Sequence, residues 1–230
     1  MRLMVLAGGC GCRAASKLGS VGPDETVVCV GSPMDVAYAP EGVERVPVDV
    51  GSDTGAHRDY GAAYVRLSEG GLENVLGRVS EVVDSGHAPV VVFGLLGATG
   101  LAVARCVVEN APATLVIVGP AVGEPHAHEA GDRYDWLSEG KYFGDSRIVL
   151  VSNPNPEDEA PLSRAVELAR RFPTKLDSVV NDARAGVAYV DGEPVSPEEV
   201  RRRLEIRRLE AGGGGGAGEG TGGGGFSRFL

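Results

Sequence analysis

The sequence predicts an α/β fold of the three-layer, Rossmann-like kind, with a mostly parallel sheet and helices on both faces. Three observations carry that expectation. Short apolar runs of strand length alternate with helical patterns along most of the chain, and such alternation favours right-handed crossovers between parallel strands. Two of these runs pass directly into glycine-rich turns that open helices. Apolar residues make up 43% of the 230 positions and aromatic residues only 5%, so the interior must be filled by Val, Leu, Ala and Ile, as doubly buried strands prefer.

Each element follows from its local pattern. Residues 3–7 read as a buried strand, 8–12 as a turn and 13–18 as the opening of a helix. A second strand covers 26–30. A third lies within 43–50, before a polar, glycine-bearing loop at 51–61. Apolar residues at 72, 75, 76, 79, 82 and 83 share one face of a helix within 62–83, with a break at Gly70-Gly71. Residues 89–93 are an uninterrupted apolar run suited to a central strand; 94–100 turn from it and 101–108 continue as a helix. Further strands cover 114–118 and 147–151, separated by a polar segment at 119–144. An amphipathic helix spans 161–172 and Pro173 stops it. Residues 176–180 read as a strand, and 187–190 as another running into the Asp191-Gly192 turn. Ser196 caps a last helix over 197–210, with Glu198 and Glu199 in its first turn.

The expected organisation is one α/β domain over 1–193, a charged helix over 194–211, and a flexible tail over 212–230 whose glycines cannot offset chain entropy. The helix interleaves Arg201, Arg202, Arg203, Arg207 and Arg208 with four glutamates. That pattern suits a solvated face, or a surface for self-association or a protein partner, as does the terminal peptide 226–230. With 32 acidic against 22 basic residues the formal charge is -10, which argues against nucleic acid as a partner. The N-terminal apolar run is far shorter than the ~20 residues that span a bilayer and shows no signal-peptide cleavage pattern. The expectation is a cytoplasmic protein with no transmembrane segment. Cys10-Gly11-Cys12 lacks the spacing of a zinc knuckle, and His126 and His128 stand two apart in a polar loop, so no metal site is expected.

The glycine turns carry the chemistry. Phosphate oxygens need several backbone N–H groups converging at a helix start, where the helix dipole adds favourable potential and side chains would block the approach. Close packing between strand and helix also selects glycine, and one turn alone does not separate the two explanations; a pair at neighbouring strand ends favours the phosphate. No Lys-Ser/Thr follows either turn, which removes the Walker P-loop. Gly9-Cys10-Gly11-Cys12-Arg13-Ala14 approximates the dinucleotide fingerprint. The second strand nevertheless ends Val30-Gly31-Ser32-Pro33 without the acid that would hold a ribose, and Asp35 comes several residues late.

Laid out in this order, residues 1–155 resemble the nucleotide-binding domain of the tubulin/FtsZ superfamily. Gly8-Gly9-Cys10-Gly11-Cys12-Arg13-Ala14 is similar to that family's first loop, Gly-Gly-x-Gly-Cys-Asn-Ala, with Arg13 replacing the Asn that helps to read guanine. Gly55 and Ala56, with residues 57–61, sit where the family places a loop near the γ-phosphate. Gly97-Ala98-Thr99-Gly100 lies within the counterpart of the Gly-Gly-Gly-Thr-Gly-Thr/Ser-Gly signature. Glu124 matches a ribose-binding Glu at the Pro-Phe-x-Phe-Glu spacing, or is a loop acid. His128 stands where an Arg follows in the family. Asn153, with Asn155 as the alternative, resembles the family's Pro-Asn-Asp asparagine, or forms a turn before Pro154. Asn181-Asp182 is similar to part of the catalytic Asn-x-Asp loop and lacks its following acid. In the family, acids from the next subunit complete GTP hydrolysis and a second domain supports filaments; too few residues follow 175 to build that domain.

The resemblance implies a purine-nucleotide protein, binding GTP or GDP with or without Mg2+, with weak or absent hydrolysis and no complete polymerisation apparatus. Two other readings compete with it. One is an NAD(P)-dependent oxidoreductase in which Arg13 meets a 2′-phosphate and Tyr134 or Tyr142 serves as the acid. The other is a scaffold that keeps its glycines for packing and holds a partner.

Overall fold

A computed structural model describes residues 1–53, 55, 59–121, 123–155 and 157–212. Ala56, which the resemblance places in a loop near the γ-phosphate, and the glycine tail from residue 213 lie outside the described residues. The chain opens with β1 (Arg2–Ala7), α1 (Gly8–Ala14, prolonged by a 3-10 turn at Ala15–Lys17), β2 (Glu25–Gly31), α2 (Pro33–Val36) and β3 (Glu44–Pro47). It continues through α3 (Tyr60–Arg66), a π-helical stretch at Leu67–Gly71, α4 (Glu73–Asp84), β4 (Val90–Gly94), α5 (Ala98–Asn110) and β5 (Thr114–Val118). After a 3-10 turn at Ala127–Glu129 come α6 (Ala130–Ser138), β6 (Arg147–Val151), α7 (Ala160–Arg171), α8 (Leu176–Arg184), β7 (Ala188–Val190), β8 (Glu193–Val195) and α9 (Pro197–Gly212).

The strands form one sheet in the order β3-β2-β1-β4-β5-β6-β7-β8. Every pair is parallel except the β7–β8 hairpin. That hairpin turns at Asp191 and Gly192, with φ of 52° and 90°, as a type I′ turn requires. The period of two splits each strand between two cores: Leu3, Val5, Val91 and Phe93 join α3, α4, α5, α6 and α9 on one face. Met4, Leu6, Val90 and Val92 join α1, α2 and α7 on the other. Burial on both faces explains why these strands read as continuous apolar runs rather than alternating ones. Among the described residues no helix is long and apolar enough to cross a membrane.

Three local expectations are corrected. Residues 8–12 and 98–100 are not turns: α1 begins at Gly8 and α5 at Ala98, so the glycines lie inside the first helical turns. Residues 176–180 are helical, not a strand. In α8, Val179 is buried, while Ser178 and Asp182, one turn apart, reach the same buried guanidinium of Arg147. The polar segment 119–144 contains a helix, α6, whose inward stripe is Ala130, Arg133, Tyr134 and Leu137. Arg133 occupies an apolar position in that stripe and conceals the pattern.

Candidate functional site

The strand order reverses between β1 and β4, and the helices leaving these two strands pack on opposite faces of the sheet. A crevice therefore opens beyond the carboxyl ends of the strands at this point, the place where open α/β sheets hold ligands. Here it is a cleft of about 700 Å³. Gly9, Cys10 and Arg13 border it from α1, Gly94 and Gly97 from the β4–α5 connection, Glu124 and His126 from the segment after β5, and Asn153 from the end of β6.

The two glycine segments meet directly. Gly8 has φ +64°, and a Cβ on it would lie 2.6 Å from the Gly100 nitrogen. Gly55, at φ +108°, would bring a Cβ within 3.8 Å of Thr99 Oγ1, so the third loop also arrives at the start of α5. Neither α1 nor α5 has a side-chain cap or an acid in its first turn, although α2 and α3 are capped by Ser32 and Asp59. The first N–H groups of a helix have no partner within it, and an uncapped start bears the positive end of the helix dipole.

The sequence-predicted residues divide into two groups. Gly9, Cys10, Arg13, Gly97, Glu124 and Asn153 line the cleft. Gly8, Gly11, Cys12, Ala98, Thr99 and Gly100 are buried behind it. A Cβ on Gly11 would stand 2.5 Å from the Val92 oxygen, and one on Gly100 2.7 Å from the Ala7 oxygen, so these two glycines let helix and strand approach. The Cys12 thiol points under α1 toward the Leu6 and Val30 carbonyls, at 3.6 and 3.8 Å. Burial pushes the Cys10 thiol up to about 12, which keeps it protonated. His128 is exposed beside the cleft, and its neighbour His126 faces the cleft instead.

Glu124 Oε2 accepts the Ala121 N–H at 2.8 Å, which fixes the carboxyl within its own loop. Ser152 donates its N–H to Asp191 Oδ1 at 2.9 Å, and this bond anchors the strand end that carries Asn153.

Sequence reasoning missed three parts of the wall. Asp35 is not too late to reach the site. Ser32 and Asp35 form a capping box that folds the carboxylate back, so that Cβ atoms on Gly9 and Gly31 would meet its oxygens at 2.9 and 3.1 Å. The Ser-x-x-Asp spacing was the available signal. Tyr38, 55% exposed, stands one turn farther along the same wall. Arg133, only 2% exposed, donates to Leu96 O at 2.6 Å and to Glu129 Oε2 at 2.8 and 3.1 Å, bracing the β4–α5 connection from below. No local pattern announces a buried arginine.

No family model and no curated protein matches this sequence. Solved structures do. TubZ from bacteriophage PhiKZ, in a protofilament, superposes with a TM-score of 0.58 at 12% identity, over 91% of this chain and 90% of that one. TubZ from Clostridium botulinum phage c-st gives 0.56 at 16% identity, over 73% of this chain and 57% of that one. CetZ2 from Haloferax volcanii, a GTPγS-bound protofilament, gives 0.53 at 18% identity, over 90% of this chain and 64% of that one. The chain thus spans less than two thirds of the length of the last two. These likenesses establish the tubulin/FtsZ fold.

Proposed function

We propose that this chain, built on the tubulin/FtsZ fold, binds a purine nucleotide, GTP or GDP with its Mg2+, in the cleft at the switch point. The observation that carries the reading is the pair of uncapped helix starts, at α1 and α5, abutting beside an open cleft. Gly97 offers a close approach to phosphate at the start of α5, Arg13 supplies positive charge from α1, and the reading assigns Glu124 and Asn153 to the ribose and base. Weak or absent hydrolysis belongs to the same reading. Asp182, the acid that resembles part of the catalytic loop, is held by Arg147 Nε at 2.7 Å and by the Tyr189 hydroxyl at 3.1 Å. Self-association is proposed from the protofilament neighbours.

A second reading has one observation of its own. Asp35 against Gly9 restores the acid that a dinucleotide site places near its second strand. A thermal-shift panel of GTP, GDP, ATP, NAD and NADPH, with and without Mg2+, separates the two. At a hundred times the dissociation constant the bound nucleotide stabilises by about 2.7 kcal/mol. The informative variant is Gly97→Asp. An aspartate is a favoured N-cap, so α5 keeps or gains stability, while its carboxylate repels phosphate at the cleft. The expected result is an unchanged or higher melting temperature without ligand and loss of the GTP shift. A GTP shift that survives in this variant refutes the phosphate position, and a shift with NAD alone selects the dinucleotide reading.

A further inference from the structure

The segment after β5 carries a second cluster of side chains, at the rim of the cleft. His126, His128 and Glu129 present ligand atoms that all lie within 4.8 Å of one another. His126 adopts a left-handed backbone, φ 69° and ψ 12°, immediately before the 3-10 turn Ala127–Glu129. A non-glycine residue there carries a conformational cost, which neighbouring structure must sustain. The 3-10 repeat of three residues sets 126 and 129 on the same side, and the His126 and His128 rings stand 5.8 Å apart.

The carboxylate of Glu129 is divided between two tasks. Its Oε2 accepts from Arg133 at 2.8 and 3.1 Å, and its Oε1 lies 2.6 Å from His126 Nδ1. The buried guanidinium therefore holds one oxygen of Glu129 and leaves the other facing His126.

We propose that His126, His128 and Glu129 form a binding site for a divalent transition-metal ion of the Zn2+ class. Two imidazoles and one carboxylate are a donor set that zinc accepts with water in the fourth position. The same set disfavours Mg2+, which prefers oxygen ligands in octahedral geometry. Metal would replace the direct His126–Glu129 hydrogen bond. With bonds of about 2.0–2.1 Å in a tetrahedral arrangement the two atoms separate to about 3.3 Å, a displacement within reach of an exposed loop. His126 also borders the cleft, so the ion would sit at its rim.

The test uses the full, untagged chain, stripped with chelator and kept in a non-thiol reductant, with no nucleotide present. Calorimetric titration with ZnCl2, and Co2+ absorption as a spectroscopic readout, should give one site per chain, with MgCl2 failing to compete. His126→Ala and His128→Ala should each weaken binding more than tenfold, and Glu129→Gln should also weaken it. His87→Ala, remote in sequence, should leave it unchanged. His128 is exposed, so its replacement keeps the test valid where the Glu129 variant loosens α6. Wild-type binding absent at 100 µM Zn2+, or equal binding by wild type and His128→Ala, overturns the proposal. Because nucleotide is omitted, neither result depends on the nucleotide reading.

Discussion

A methyl group added to Gly11 would land 2.5 Å from the Val92 oxygen and 2.7 Å from the Leu6 carbonyl carbon, with backbone on both sides. On Gly97 the nearest atom would be the Gly94 oxygen at 3.4 Å, an ordinary contact. The same residue type thus does two jobs at neighbouring helix starts. Gly11→Ala should cost about 1–3 kcal/mol through overpacking, read as a lower urea midpoint with an unchanged slope. Gly97→Ala should stay within about 0.5 kcal/mol of the parent. Equal losses in the two variants would refute the division between packing and cleft glycines. Sequence reading found the glycines but could not sort them, because a phosphate and a close-packed strand impose the same demand for a missing Cβ. The neighbours that decide it, Val92 and Leu6 against Gly11, come from two different strands.

Among the elements, those with one clean apolar stripe or run were legible, and those whose pattern includes a buried charge were not. β4 and α7 are examples of the first kind. In α6, Arg133 interrupts the stripe, and around α8 the burial of Arg147 beside Asp182 and Ser178 depends on partners from β6. α9 docks on α6 through Val200 and Leu204, both buried, and through a two-point ion pair in which Arg201 Nε and Nη2 donate to Asp135 at 2.9 and 2.7 Å. The Arg201 guanidinium holds the Asp135 carboxyl below its usual range. A depressed carboxyl stabilises the fold above its unfolded pKa of about 3.9, and that contribution disappears as pH falls through the folded value. The pair is about half exposed, which keeps its contribution small. Unfolding curves of wild type and Asp135→Asn should therefore differ at pH 6, and the difference should shrink only as pH falls below about 3.9 toward the lower folded value. A difference that persists at low pH would show that packing, not charge, makes this contact.

On the scale of the whole molecule, the fold class was legible because the four central strands, β1, β4, β5 and β6, are buried on both faces, which writes them into the sequence as unbroken runs. The cleft was legible only in part, since it is created by a reversal of strand order that no local pattern encodes. That reversal has a mechanical consequence. α1 and α5 start beside one another yet pack into opposite cores, so a ligand held by both starts joins the two layers across the sheet. Saturating GTP should then slow amide exchange together in the segments 8–14 and 97–101, one from each layer. The opposite edge of the sheet, at the amino ends of β1 and β4, should exchange as before. Protection confined to one segment would place the ligand on a single helix start and leave the other as a packing contact, which would dismantle the two-loop site while leaving the fold untouched.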